Sequence, residues 1–188
     1  MNKPIDISNT VLKTARMILR PWQFEDLEDF YEYAKVDGVG QMAGWLPHEN
    51  KETSLNILNN FIEGKKTFAL EHNGKVIGSL GIEKYKEDHA PEYETLQGRE
   101  IGYVLSKDYW GQGLMPEAVQ EVIRYLFEEE QLDVIFCGFF KRNSQSARVQ
   151  EKCGFRYYKD VIHTTRYNTQ EETSMNILTR NEWLANRR

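Results

Sequence analysis

The 188-residue sequence has little of several features that would place it in a specialised class of protein. Two cysteines, Cys137 and Cys153, are too few for a disulfide framework, and the four histidines are too scattered for a zinc motif. The net charge of −5 argues against a nucleic-acid partner. The first fifteen residues lack the apolar run of a signal peptide, and no stretch approaches the ~20 apolar residues of a membrane span. We therefore expect a cytoplasmic protein with no metal centre and no membrane or nucleic-acid partner.

The features that are present are typical of one globular domain. Hydrophobic residues make up 40% of the chain, charged residues 28% and aromatic residues 12%. A chain of this length can bury a substantial core. It contains no repeats and no segment that resembles a linker. We expect a single domain over residues 1–188, in which residues 1–13 form an N-terminal extension.

Hydrophobic periodicity predicts a mixed α/β chain built on one central sheet. A hairpin turn is predicted at Asn73-Gly74, between two strand-like segments. Residues 86–98 form a polar, acidic connection without periodicity. The predicted strands are 16–20, 67–71, 75–84, 99–105, 133–140, 155–162 and 173–179. The predicted helices are 24–35, 53–62, 113–129 and 144–152, followed by a helical turn at 182–186.

One predicted strand runs into a predicted helix through the short loop Gly111-Gln112-Gly113. Two glycines in three residues allow a sharp turn and leave the backbone N–H groups accessible. These groups stand at the start of a helix, where the macrodipole favours an anion such as a diphosphate. The loop lacks the third glycine of the dinucleotide fingerprint and the Lys-Ser/Thr of a Walker loop. Many glycine-rich turns bind no ligand, so this loop alone leaves the question open.

Several segments, in the expected order, resemble the GNAT superfamily of N-acetyltransferases. Residues 109–113 (Tyr-Trp-Gly-Gln-Gly) are similar to the coenzyme A motif of the branch that contains the ribosomal-protein N-terminal alanine acetyltransferases. Residues 143–155 resemble the family's Asn-x-x-Ser-x-x-Val-x-x-Lys-x-Gly-Phe stretch, and residues 14–21 and 45–48 resemble further family segments. Trp110 and Met115 depart from the family pattern, in which Gln or Arg and Gly or Ala are usual. The resemblance spans roughly residues 14 to 184.

The resemblance implies both a fold and an activity. The fold is α/β (mixed α+β), with one central, mostly antiparallel, twisted sheet flanked by helices and a splayed pair of strands that holds acetyl-CoA. The activity is transfer of an acetyl group from acetyl-CoA, without a metal, to a protein N-terminal α-amine or a small-molecule amine by direct attack in a ternary complex. A homodimer is compatible with it. Two alternatives stay open: an acetyl-CoA-binding sensor or interaction module without turnover, and a different nucleotide-binding α/β protein.

Two residues are the candidate catalytic groups under this resemblance. Glu100 is the candidate general base, although an unperturbed glutamate with a pKa near ~4.3 would need a raised pKa or a water relay. The alternative for Glu100 is a solvated strand position. Ser146 is the candidate acid that protonates the leaving thiolate, and Tyr157 and Tyr158 are weaker candidates. The two cysteines are expected to be packing residues and not nucleophiles.

The resemblance also implies how the cofactor is bound. The backbone of residues 103–105 would pair with pantetheine, and the N–H of Val104 or Leu105 would stabilise the oxyanion. Asn143 is predicted to be a helix N-cap that also contacts pantetheine. Four cations near that helix could meet the phosphates: Lys141, Arg142, Arg148 and Lys152. The candidate cofactor-binding set is Tyr103, Val104, Leu105, Trp110, Gly111, Gln112, Gly113, Leu114, Met115, Asn143, Arg148 and Lys152.

The acceptor side is less well specified by the sequence. Four acidic residues in the 86–98 connection (Glu87, Asp88, Glu92 and Glu94) could attract a cationic amine or a basic protein tail, or could simply be solvated. Met42, Trp45 and Phe61 could line the cleft or belong to the core. An α-amine, about a tenth neutral at pH 7, suits an enzyme without a strong base better than a lysine does.

Overall fold

The computed structural model describes residues 1–187 and contains one eight-stranded sheet. Its strands are β1 (Leu12–Lys13), β2 (Ile18–Pro21), β3 (Thr67–His72), β4 (Lys75–Glu83), β5 (Gly98–Leu105), β6 (Val134–Phe140), β7 (Arg156–Thr164) and β8 (Gln170–Thr179). The spatial order is β1-β2-β3-β4-β5-β6-β8-β7. Every neighbouring pair is antiparallel except β5 and β6, which are parallel. The predicted class, a mixed α/β chain with one mostly antiparallel sheet, is confirmed.

Five α-helices flank this sheet. They are α1 (Leu27–Ala34), α2 (Lys51–Gly64), α3 (Leu114–Glu128), α4 (Ser144–Lys152) and α5 (Arg180–Asn186). Alternation along β3 shows that both faces of the sheet are covered, since neighbouring side chains of a strand point to opposite faces. Phe68 and Leu70 pack in the core cluster that contains the apolar side of α3, whereas Ala69 packs in the cluster that contains residues of α1 and α2. The sheet is therefore the middle layer of three.

Local sequence explains where the helices begin. Asn50 precedes α2 in extended conformation, and its side chain accepts a hydrogen bond from the backbone N–H of Thr53 at 2.9 Å. In α3 the residues at helical spacing, such as Leu114, Ala118 and Val122, are buried.

The N-terminal residues predicted to be an extension lie against the domain, because Ile7 is 1% exposed and β1 pairs with β2.

The central parallel pair opens into a V. The pairing of β5 with β6 extends only from Gly98 opposite Val134 to Glu100 opposite Phe136. Beyond that point β5 continues along β4 as far as Leu105, while β6 continues along β8 as far as Phe140. Each strand therefore keeps one partner while the two separate from each other. This is the splayed pair that the sequence resemblance implies.

Candidate active site at the opening of two strands

A cavity of about 700 Å³ lies at this V-shaped opening. It is lined by parts of β5 and β6, the loop before α3, one side of α4, the inner side of β7 and β8, and the residues that follow β4. The predicted site residues converge here: Glu100, Tyr103, Val104, Leu105, Trp110, Gly111, Gly113, Leu114, Met115, Asn143, Ser146, Arg148 and Lys152 all line the cavity. Gln112 does not line it, and its side chain instead donates to the carbonyl of Asp108 at 3.2 Å.

The loop before α3 has the backbone conformation that its glycines allow. Gly111 and Gly113 both have a φ of +75°, and both are exposed. A side chain is rarely tolerated at such φ values, which explains glycine at these two positions. Met115 is buried with 5% exposure, so its side chain belongs to the core and leaves only its backbone at the helix start. The loop thus presents main-chain groups at the N-terminus of a 15-residue helix.

Arg16, which the sequence did not single out, braces this loop. Its Nη1 donates to the carbonyl of Gln112 at 2.9 Å, and its Nε donates to the carboxylate of Glu117 at 2.7 Å. The guanidinium also lies 3.6 Å from the position that a Cβ of Gly113 would occupy. Because Arg16 is nearly a hundred positions from the loop, only the tertiary structure brings this positive charge to it.

The hydrogen-bonding direction of β5 decides which of its amides face the opening. Ser106 N–H donates to Ile77 O on β4, so by alternation the amide of Val104 also faces β4. The amides of Tyr103 and Leu105 therefore face the side from which β6 has departed. Of the two residues considered for the oxyanion donor, only Leu105 has its N–H directed into the opening. Trp110 closes the end of the strand, because its indole Nε1 donates to the Leu105 carbonyl at 2.9 Å.

Glu100 lies at the apex of the V, where the pairing of β5 with β6 ends. The pKa of its carboxyl is raised to about 7, first by burial and then by the negative charge of Glu83 on the neighbouring strand, while the positive charge of Lys86 acts in the opposite direction. A carboxylate with this pKa is half ionised near neutral pH. It is therefore a much better proton acceptor than an ordinary glutamate.

Ser146 lies in the first turn of α4 and lines the same cavity as Glu100. Its N–H donates to the side chain of Asn143 at 3.1 Å, so Asn143 is the helix cap that the sequence predicts. The Ser146 hydroxyl is 2.9 Å from the hydroxyl of Tyr103. Burial raises the pKa of the Tyr103 hydroxyl well above its ordinary value, so this group stays protonated.

A buried amide also reaches Ser146. Gln150 is fully buried, and its Nε2 donates to the Gly138 carbonyl at 3.3 Å and to the Ser146 hydroxyl at 3.4 Å. Its Oε1 accepts from Asn176 Nδ2 at 2.9 Å, which fixes the amide so that the NH₂ faces Ser146. The sequence contained one signal for Gln150: it stands four residues after Ser146 in a predicted helix and therefore on the same face.

The other candidate acids and nucleophiles are less suitable. Tyr157 is 60% exposed and does not line the cavity. Tyr158 lines it, but its hydroxyl donates to Glu92. Burial raises the pKa of the Cys137 thiol well above its ordinary value and that of Cys153 to about 12. Neither cysteine is therefore a thiolate near neutral pH, as the sequence led us to expect.

The four cations considered for phosphate binding divide into two pairs. Arg148 and Lys152 line the cavity and make no ion pair with an acidic side chain of residues 1–187. Lys141 and Arg142 lie elsewhere. Lys141 pairs with Asp160 at 2.8 Å and Arg142 with Glu171 at 2.9 Å, and neither lines the cavity.

The acceptor side differs most from the expectation. The acidic residues Glu87, Asp88, Glu92 and Glu94 do not line the cavity. The Glu87 carboxylate accepts from the backbone N–H of Asn2 at 2.7 Å, and Glu92 accepts from Tyr158. Trp45 and Phe61 pack in the cluster with α1 and α2, whereas Met42 does line the cavity. The lining residues that come from this part of the chain include instead Lys84, Lys86 and His89.

Two further features of the described chain bear on its class. Residues 1–187 hold no helix that is both long and apolar enough to cross a membrane. In the same residues, no three or more His, Cys, Asp or Glu side chains are grouped so that they could hold a metal ion.

Comparison with known proteins gives a consistent result. A family model described as an acetyltransferase (GNAT) domain matches residues 16–156. The chain is 27% identical over 156 residues to the uncharacterized N-acetyltransferase YnaD of Bacillus subtilis (strain 168), which covers 80% of this chain and 87% of that protein. It is 31% identical over 116 residues to the FsC-acetyl coenzyme A-N(2)-transacetylase of Aspergillus fumigatus, which covers 59% of this chain and 48% of that protein.

Solved structures share the fold. A GNAT-family acetyltransferase from Bacillus anthracis superimposes with a TM-score of 0.79 at 24% identity, covering 92% of this chain and 99% of that one. A spermidine N-acetyltransferase from Vibrio cholerae, in complex with CoA and spermine, gives 0.72 at 16% identity, covering 90% and 99%. At these identities the structures support the fold only. The family model, which matches well over half of the chain, shows that this protein belongs to the GNAT acetyltransferases and is an acyltransferase.

Proposed function

We propose that this protein transfers the acetyl group of acetyl-CoA to a primary amine, on a protein N-terminus or a small molecule, by direct attack within a ternary complex. The observation that carries the proposal is the position of Glu100. Its carboxyl group, with a pKa of about 7, lies at the apex of the strand opening. The glycine loop at the start of α3 and the hydroxyl of Ser146 line the same cavity.

Acetyl-CoA would enter with its pantetheine arm between β5 and β6. The backbone of Tyr103 and Leu105, which has lost its partner strand there, would pair with the arm's amide groups. The diphosphate would accept hydrogen bonds from main-chain N–H groups of the loop at 111–115, helped by the dipole of α3. Arg148 and Lys152, which line the cavity, supply positive charge for the remaining phosphate.

Glu100 would start the chemistry by removing a proton from the acceptor ammonium. Its pKa of about 7 is within about one unit of that of an α-ammonium at ~7.7–8, so this transfer costs little free energy. A lysine ammonium at ~10.4 is several units away. The proposed site is thus better matched to an α-amine, or to another amine of lowered pKa, than to a lysine side chain.

The neutral amine would then attack the thioester carbon. The new C–N bond forms while negative charge develops on the carbonyl oxygen, which the N–H of Leu105 stabilises. As the C–S bond breaks, the Ser146 hydroxyl donates its proton to the leaving sulfur. The attacking nitrogen, positively charged once the C–N bond has formed, loses its extra proton to water. A proton from water returns to Ser146 through the Tyr103 hydroxyl, which is 2.9 Å from Ser146 Oγ.

Two measurements on the purified protein test this proposal. Calorimetric titration should give binding heat with CoA and acetyl-CoA but none with ATP or NAD. Release of the CoA thiol should then depend on an added amine. Binding heat without thiol release over a broad amine panel would favour the sensor or interaction module instead. Heat with ATP or NAD and none with CoA would contradict the cofactor assignment.

A further inference from the structure

The part of the cavity beyond Glu100 lies on the opposite face of the sheet from α4. Glu83, Glu100 and Phe136 are neighbours in register on three adjacent strands, so their side chains share this face. The next position of β5 on the same face is Gly102, where an added Cβ would meet nothing within 4 Å. Bare backbone beside the proposed base therefore forms the floor of the space left for the acceptor.

One wall of this space is aromatic and apolar. The rings of Tyr85 and Phe136 are stacked with centroids 4.6 Å apart, and the ring of Tyr158 lies 6.1 Å from that of Phe136. All three line the cavity together with Val161 and Met175. Such a wall suits the hydrocarbon or ring part of an acceptor and offers little to a chain of charged groups.

The charges at the edge of the same space are positive. The cavity-lining lysines on the acceptor side include Lys84, Lys86 and Lys159, whereas the only carboxylates of residues 1–187 that line the cavity are Glu83 and Glu100. Glu83 is already in an ion pair with Lys66. Lys84 and Lys86 make no ion pair with an acidic group of residues 1–187, so their charges are available to a ligand, whereas Lys159 Nζ lies 4.8 Å from the centroid of the Tyr158 ring.

Lys86 and Glu100 line the same cavity. Burial lowers the pKa of His163, and the positive charge of Lys86 lowers it further. The same charge acts to lower the pKa of Glu100. Yet Lys86 and Glu100 do not form an ion pair with each other. Two oppositely charged side chains therefore line one cavity without forming an ion pair. A ligand that carries both charges could contact each of them.

We propose that the acceptor is a small amphoteric amine whose ammonium group faces Glu100 and whose carboxylate or similar anionic group faces Lys86. An apolar or aromatic body joins the two groups and lies over Gly102. This inference rests on the proposed acetyl transfer and narrows its substrate class. A polyamine or a basic protein tail brings a second positive charge to an edge that is already positive, and is disfavoured.

Three acceptors that share one ring system, and differ only in the charge of the group opposite the amine, test the inference. All three carry the same aminomethyl group on a benzene ring. The opposite ring position is anionic in 4-(aminomethyl)benzoate, neutral in benzylamine and cationic in 4-(aminomethyl)benzylamine. Thiol release should give kcat/KM in the order anionic, neutral, cationic, with about fivefold between the first two, as one partly screened charge contact provides.

Variants of Lys86 separate the charge contact from a general effect on activity. Lys86→Met should abolish the preference for the anionic acceptor over the neutral one, because this ratio cancels any effect of the lost charge on the pKa of Glu100. Lys86→Glu should reverse the order of the three acceptors. Lys13→Met is the matched control, because Lys13 is an exposed lysine on β1 outside the cavity, and it should keep the wild-type order.

Several outcomes would overturn the inference while leaving the proposed function standing. One is an equal kcat/KM for the anionic, neutral and cationic acceptors, and another is a cationic acceptor that reacts fastest. A third is a Lys86→Met variant that changes kcat/KM by the same factor for every acceptor. Turnover of a peptide α-amine with a basic tail, together with no turnover of any small amine, would also overturn it. By contrast, bound acetyl-CoA with no transfer to any acceptor contradicts the proposed function itself.

Discussion

The two halves of the cavity are built from different parts of the polypeptide. The half proposed to bind acetyl-CoA, here called the donor half, consists mainly of main-chain groups: the glycine loop at 111–113, the start of α3, and the amides of Tyr103 and Leu105. The acceptor half consists of side chains, among them Glu100, Phe136 and Lys86, which belong to different strands and loops. A main-chain site depends on backbone conformation and tolerates many side chains, whereas a side-chain site can change its specificity by single substitutions. Four predictions sharpen this comparison.

The largest expected effect is on turnover when Glu100 is replaced. Glu100→Gln removes the base and should lower kcat by ~100-fold or more, with the Kd for acetyl-CoA nearly unchanged. In the wild type, kcat/KM should rise with pH through about 7, because the carboxyl must lose its proton to act as a base. The exposed Glu25→Gln is the control and should keep both kcat and this pH dependence. A Glu100→Gln variant with wild-type kcat would remove Glu100 from the mechanism.

The next effect concerns the main-chain half. Gly113→Val should weaken the binding of CoA about tenfold or more, because valine is strained at a φ of +75° and its side chain would stand in the phosphate loop. Gly74→Val is a matched control: Gly74 has a φ of +77° but lies in the hairpin between β3 and β4. The control should lose stability by a similar amount and keep its CoA affinity. Equal loss of affinity in both variants would mean that the effect is only structural.

A smaller effect is expected at the amide that contacts Ser146. Gln150→Leu should lower kcat about tenfold with little change in KM for acetyl-CoA, since Ser146 loses a hydrogen-bond donor that orients its hydroxyl. The single variant leaves buried Asn176 without its acceptor and should also lower the free energy of unfolding.

The double variant Gln150→Leu/Asn176→Leu separates these two consequences. Replacing both partners by apolar groups should restore much of the stability, measured by denaturant unfolding. It should not restore kcat. If kcat recovers together with stability, Gln150 has only a structural role.

The smallest effect distinguishes two arginines near α4. Arg148→Met should weaken CoA binding a few-fold, because it would remove one proposed, solvent-exposed contact to a phosphate. Arg142→Met should leave CoA affinity unchanged, since the Arg142 guanidinium is held by Glu171 and the Gln41 carbonyl. Calorimetry on the two variants gives the comparison directly. The opposite pattern would show that phosphate contacts come from the other side of α4.

The same division explains which parts of the site could be predicted from the sequence. The glycine loop, the Asn143 cap and the strand that contains Glu100 are local patterns, so both the donor half and the general fold could be predicted. The charges of the acceptor half could not. The edge of that half is made by residues 84–89 of the chain after β4 together with residues 158–163 of β7, and only the strand order β6-β8-β7 brings them together.

Two properties of the proposed catalytic groups also depended on tertiary contacts. The raised pKa of Glu100 follows first from burial and then from Glu83, seventeen positions earlier, on the neighbouring strand. The orientation of Ser146 depends on Gln150, and that of Gln150 depends on Asn176 in β8. The sequence identified the residue types, but it could not give their protonation or their partners.

The separation of β5 from β6 has a consequence for hydrogen–deuterium exchange. Along β5, the amides of Gly102 and Val104 face β4, while those of Tyr103 and Leu105 face the opening. Alternate amides of one strand should therefore exchange at different rates in the free protein, slowly at the even positions and rapidly at the odd ones. A ligand that occupies the opening would slow only the odd positions, so that the strand becomes uniformly protected.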